Sequence, residues 1–118
     1  MRYALLIYAN EDDRGRMSAE ERRLMNAGIA AVVARPNVSS YLRLQPVDSA
    51  TTVHSETAKT LLTDGPFVDS KDFLGGFIVV DADNLDGALA VAEELQELRG
   101  RTGAIEIRPV NEEPLVGA

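Results

Sequence analysis

Two short runs constrain the fold more than anything else in the chain. Residues 2–9 carry Tyr3, Leu5 and Ile7 on one side of an extended segment and Ala4, Leu6 and Tyr8 on the other; residues 76–81 set Phe77 and Val79 against Ile78 and Val80. Neighbouring side chains of a strand point to opposite faces, so a run that is apolar on both faces has to be covered on both. These runs are therefore central strands. Residues 104–110 alternate instead, Ile105 and Ile107 against Glu106 and Arg108, which marks a strand with one polar face.

Helical spacing fills the intervals. Ser18 and Glu21 stand three apart, as in a reciprocal capping box, and Met25, Ile29, Val32 and Val33 follow as one apolar stripe. Arg35-Pro36 ends that helix, because the residue before proline is pushed out of the α region. A second helix opens at Asp83 or Asn84, with Leu85, Ala88, Leu89, Ala92 and Leu95 on its apolar face and Gly100 as its stop. Residues 36–47 give the weakest signal; Tyr41 and Leu42 hint at a strand, but two prolines bracket the segment and it reads as irregular. Residues 51–54 and 60–63 read as a hairpin joined by Ser55-Glu56-Thr57-Ala58, which lacks the glycine of a tight two-residue turn.

The resulting order is strand, helix, strands, strand, helix, strand, with no linker or repeat, so residues 1–118 read as one α+β domain. It matches a ferredoxin-like antiparallel sheet with two helices on one face. Two helices on one face leave the other bare, although the central strands are apolar there as well. A second copy packed against the bare face resolves the conflict, so the expectation is a homodimer whose two sheets form an α+β barrel.

Charge and residue inventory remove several functions. A net charge of −7 opposes a phosphate backbone, so direct nucleic-acid binding is not expected. No apolar run reaches the roughly 18 residues of a membrane span, and the apolar start gives way at once to Glu11-Asp12-Asp13, so the expected location is cytoplasmic, with no membrane partner. With no cysteine and one histidine, neither a thiol nucleophile nor a metal site is expected. Walker and dinucleotide glycine patterns are missing, and no cofactor is expected.

The chemistry-bearing stretch is Asp64-Gly65-Pro66-Phe67, continued by Val68-Asp69-Ser70-Lys71-Asp72. Asp64, at a strand end beside a bent Gly-Pro segment, is the candidate acid–base group; an aspartate there also serves to accept backbone N–H groups of its own turn. Gly65, Pro66 and Phe67 shape the wall of the site, and Lys71 contributes a cation to it or pairs with Asp69 or Asp72. His54 is a second acid–base candidate by inventory alone, as the one side chain that normally titrates near neutrality. Arg108 and Glu106 share a strand face. They form an anion clamp and its orienting carboxylate if that face lines a cavity, and an ordinary surface pair if it meets water.

Five segments resemble the YCII-related family, specifically its DGPF branch: Tyr3-Ala4-Leu5-Leu6-Ile7-Tyr8, Lys59-Thr60-Leu61-Leu62-Thr63-Asp64-Gly65-Pro66-Phe67, Leu74-Gly75-Gly76-Phe77, Asp83-Asn84-Leu85-Asp86-Gly87-Ala88, and Ile105-Glu106-Ile107-Arg108-Pro109-Val110. The resemblance implies a dimeric ferredoxin-like α+β barrel with an active or binding cleft near the DGPF loop; together with Asp64 and the polar alternation of the last strand, it makes a small, anionic metabolite the expected ligand. It also implies an alternative role, a non-catalytic module that partners a regulatory protein such as an alternative sigma factor. Related proteins are discussed as enzymes with a histidine–aspartate pair. Here Asp64 falls at the DGPF aspartate, but the first helix holds no histidine, and residues 35–44 look abbreviated against the family's usual stretch.

Overall fold

The computed structural model describes residues 1–13 and 15–116. In chain order the main elements are β1 (Arg2–Asn10), α1 (Ala19–Val33), β2 (Val38–Arg43), β3 (Thr51–Glu56), β4 (Lys59–Asp64), β5 (Asp72–Asp81), α2 (Leu85–Leu98) and β6 (Ala104–Pro109). Four strands form one antiparallel sheet in the order β2-β5-β1-β6, and β3 and β4 form a separate hairpin. This is a ferredoxin-like α+β arrangement with the hairpin inserted between β2 and β5. No helix among the described residues is long and apolar enough to cross a membrane.

The core lies between the helices and one face of the sheet. Leu5 from β1, Ile78 and Val80 from β5, Val32 from α1, and Ala88 and Leu95 from α2 are all buried there. Ser18 starts α1 with a complete capping box: its hydroxyl accepts the Glu21 N–H at 3.1 Å, and the Glu21 carboxylate accepts the Ser18 N–H at 3.0 Å. Asn84 caps α2, and Gly100, at φ +69°, follows its C-terminus, where Gly100 and Arg101 donate back to the carbonyls of Glu97 and Gln96.

The opposite face carries no helix. Leu42, Phe77 and Leu6 stand in register across β2, β5 and β1, and Val79 pairs with Ala4 beside them. At the far edge, on β6, Arg108 lies opposite Ala4 and Glu106 opposite Leu6. The open face is thus apolar in the middle and charged along one edge. The chain's radius of gyration of 16.6 Å also exceeds the value of about 13.5 Å expected for a compact chain of this length. The chain is flat, 19 Å in its shortest extent against 46 Å in the other two.

Four expectations need correction. Residues 38–43, read as irregular, form the edge strand β2; a register shift between Val38 and Ser40 breaks the two-residue alternation that identifies a strand. The hairpin does turn in two residues, Thr57 and Ala58, both at positive φ (46° and 63°) and neither a glycine. Strand β5 begins at Asp72, before the Gly75-Gly76 pair rather than at it. On α2 the buried stripe is Ala88, Val91, Ala92 and Leu95, while Leu85 and Leu89 are exposed. Positions 88, 91, 92 and 95 follow the i, i+3, i+4, i+7 spacing of one helix face, which leaves Leu85 and Leu89 on its flank.

Candidate functional site

The 64–67 loop is built by the hairpin. Asp64 ends β4 opposite Thr51, and Gly65 then turns the chain at φ +98°. Its N–H donates to the Ala50 carbonyl at 2.7 Å, and its own carbonyl accepts the Thr52 hydroxyl at 2.7 Å. A Cβ at Gly65 would touch nothing within 4 Å, so glycine is required for the backbone angle and not for space. The carboxylate of Asp64 is exposed and accepts no hydrogen bond among the described residues.

Phe67 is also exposed, and its ring lies 6.3 Å from that of His54 on β3, tilted by 52°. This contact joins two residues that sequence spacing does not link. Lys71 pairs with Asp12 at 3.3 Å rather than with Asp69 or Asp72. Asp72 accepts a bond from the Asn10 side chain at 2.8 Å, and the Glu11 N–H donates to the Lys71 carbonyl, also at 2.8 Å. Together these bonds staple Lys71 and Asp72 to the end of β1 and the residues after it.

A cleft of about 260 Å³ opens beside this staple. Pro66, Phe73 and Val47 give it apolar walls, and Glu11, Asp48, Asp69 and Ser70 give it polar groups. Three carboxylates and no cation favour amines or other hydrogen-bond donors over anions. Asp64 is two residues from Pro66 but does not line the cleft. Arg108 and Glu106 lie on β6, at the sheet edge opposite β2, and their side chains form no ion pair or hydrogen bond among the described residues. The sequence-derived candidates therefore separate into a loop group (Asp64, Gly65, Pro66, Phe67, His54 and Lys71) and a β6 pair. The chain alone does not bring the two together. No group of three or more histidine, aspartate or glutamate side chains stands in position to hold a metal among the described residues.

A model of the YCII-related domain matches residues 1–114. The chain belongs to the YCII-related family. An uncharacterised protein of Rhizobium meliloti (strain 1021) is 33% identical to this YCII-related chain over 114 residues, covering 93% of this chain and 92% of the relative.

Sequence reasoning missed several residues of this YCII-related protein. Glu11 and Asp48 lie in polar segments where no periodicity marks them. Arg99 is 9% exposed and is the one charged residue buried among the described residues. Its guanidinium donates to the Gln96 side-chain oxygen at 2.9 Å and to the Tyr8 carbonyl at 2.8 Å. Burial pulls its pKa below the usual arginine value, and Asp13 acts in the opposite direction. A signal did exist: Arg99 extends the apolar spacing Ala88, Ala92, Leu95 by one further turn, so it falls on the stripe that faces the sheet.

Proposed function

We propose that this YCII-related protein acts as a homodimer that binds a small polar molecule in the cleft beside the 64–67 loop. The observation that carries the reading is the cleft's composition: three carboxylates and a hydroxyl over apolar walls, a small cavity with convergent polar groups. Its charge turns the ligand class from the expected anion to an amine, a zwitterion or another donor-rich molecule. The bare apolar sheet face and the flat shape support the dimer, because a second copy is the simplest cover for strands β1 and β5. An acid–base role for Asp64 depends on cover that the single chain does not supply. The assignment is therefore of binding, with catalysis as an outcome of the test.

The test is a thermal-shift screen with small amines, amino acids and neutral polyols on wild type, Asp69→Asn, Asp48→Asn and Asp64→Asn. The reading expects a ligand that raises the wild-type midpoint and loses that effect in Asp69→Asn and Asp48→Asn. Turnover of this ligand, lost in Asp64→Asn, would establish the acid–base role. The assignment fails if no ligand stabilises wild type or if the cleft variants respond unchanged.

The alternative reading, a regulatory interaction module, has one observation in its favour. Val53 and Leu62 face each other across the β3–β4 hairpin and are 65% and 71% exposed, an apolar pair without cover in the chain. Co-purification of a regulatory protein that survives Asp64→Asn and is lost in Val53→Ser with Leu62→Ser would favour it.

A further inference from the structure

The helix-facing side chains of β5 run Val80, Ile78 and then Gly76, where the row stops. Gly75 is the extra residue at the register shift opposite Ile7 and Tyr8, and it adds no side chain either. What remains is a hollow of about 170 Å³ between α1 and the sheet. Ile7, Ile29 and Leu95 stand in its apolar walls, and Asn26, Tyr41, Arg43 and Arg99 are its polar members. The register fixes Arg43 beside Gly76, so this arginine occupies the place next to the missing side chain.

Arg99 is nine-tenths buried in the wall of this hollow, and no carboxylate lies within ion-pair distance of it among the described residues. Both of its acceptors, the Gln96 amide and the Tyr8 carbonyl, are neutral. A guanidinium carries five N–H groups, and two are used here. A buried cation without an anion is costly, and a planar carboxylate is the partner its fork fits best. Arg99 also stands in the wall of an adjoining cleft with Arg16, Arg22 and Asp13, of which Asp13 pairs with Arg16 at 3.1 Å, so four of the chain's arginines and one carboxylate gather here in a protein of net charge −7.

We propose that this hollow is a binding site for a small monocarboxylate with a compact apolar body, a single aromatic ring or a short branched chain. The carboxylate engages Arg99 and Arg43, and the body packs on Ile7, Ile29 and Leu95. The volume suits one ring, since an apolar cavity of about 150 Å³ holds benzene. The site is separate from the acidic cleft, and its charge selects the opposite kind of ligand.

The test uses the full chain and two probes, benzoate and isovalerate, titrated while backbone amide chemical shifts are followed. At least one probe should bind saturably, with the largest shifts at Gly75, Gly76 and Arg99. Benzamide, which has the shape of benzoate without its charge, should bind about tenfold or more weakly, because a charge-assisted hydrogen bond is lost. Arg43→Met changes an exposed side chain, so it should leave folding intact and weaken the probe by a similar factor; Arg99→Met is the stronger variant but risks the fold through its bond to Tyr8. Asp69→Asn should leave benzoate binding unchanged, which separates this site from the acidic cleft. The proposal is overturned if neither probe saturates, if benzamide or inorganic phosphate binds as well as benzoate, if Arg43→Met binds as wild type, or if the shifts fall only around Arg16 and Arg22.

Discussion

Replacing each glycine of the Gly75-Gly76 pair by alanine should give opposite results. A Cβ at Gly76 would lie well under 3.0 Å from the Leu42 carbonyl oxygen and 3.3 Å from the Arg43 Cα, both backbone atoms of the neighbouring strand. Backbone yields only if β2 moves, so Gly76→Ala should cost about 1–3 kcal/mol, the usual range when an added methyl forces a backbone shift. At Gly75 the nearest atoms are the Ile7 carbonyl oxygen at 3.6 Å and the Ala9 Cβ at 3.9 Å, ordinary contacts. Gly75→Ala should therefore range from neutral to about 1 kcal/mol stabilising, because alanine restricts the unfolded chain. At about 4 °C per kcal/mol for a domain of this size, the two midpoints should differ by roughly 4–16 °C. The assay is thermal unfolding followed by circular dichroism at one fixed protein concentration, since a self-associating protein has a concentration-dependent midpoint. Equal midpoints for the two variants, or a Gly76→Ala variant as stable as wild type, would refute the close β2–β5 approach and the edge strand with it.

Leu95→Ala should cost about 2–5 kcal/mol by leaving a cavity between α2 and the sheet, read as a lower urea midpoint with an unchanged slope. Thr57→Asn combined with Ala58→Gly should stabilise the hairpin, because both positions hold positive φ and left-handed backbone costs roughly 1 kcal/mol per ordinary residue; slower amide exchange across β3 and β4 is the readout. The carboxyls of Glu94, Glu112 and Glu20 are held below their usual range by hydrogen bonds from Arg35, Arg2 and Arg23. Their folded pKa values are thus lower than the unfolded ones, so the stability they add is present above the ordinary carboxylate pKa and is lost as pH falls through the folded values. Because these pairs are exposed the effect is small, and Glu94→Gln should make the fall in midpoint below about pH 4 slightly shallower while leaving the midpoint at pH 7 nearly unchanged.

Much of the fold was legible because it rests on periodicity. The two-faced runs at residues 2–9 and 76–81 identify β1 and β5 as central, and the Ser18/Glu21 spacing marks the start of α1, where the capping box forms. Strand β2 was illegible because the shift at Val38/Ser40 breaks its alternation, and the face of α2 was read partly wrong because Leu85 and Leu89 were counted for their size while Val91 was passed over, although Ala88, Ala92 and Leu95 do face the sheet. The site was less legible for a different reason. Asp64, Arg108 and Glu106 stand out by residue type, but whether they meet depends on tertiary placement, and the chain holds them on separate elements. Glu11 and Asp48 in the acidic cleft, and Arg43 and Arg99 in the hollow beneath α1, come together only through the staple at Lys71 and Asp72 and the missing side chain at Gly76.

The homodimer accounts for the bare apolar sheet face and is what an acid–base role for Asp64 depends on, and molecular mass in solution tests it most directly. Static light scattering on wild type at micromolar concentration should give twice the chain mass of 12.8 kDa. Phe77→Glu, which places a charge in the middle of the bare sheet face, should return the mass of one chain with the circular dichroism spectrum retained. A stable wild-type monomer, or a dimer that Phe77→Glu leaves intact, would contradict the account.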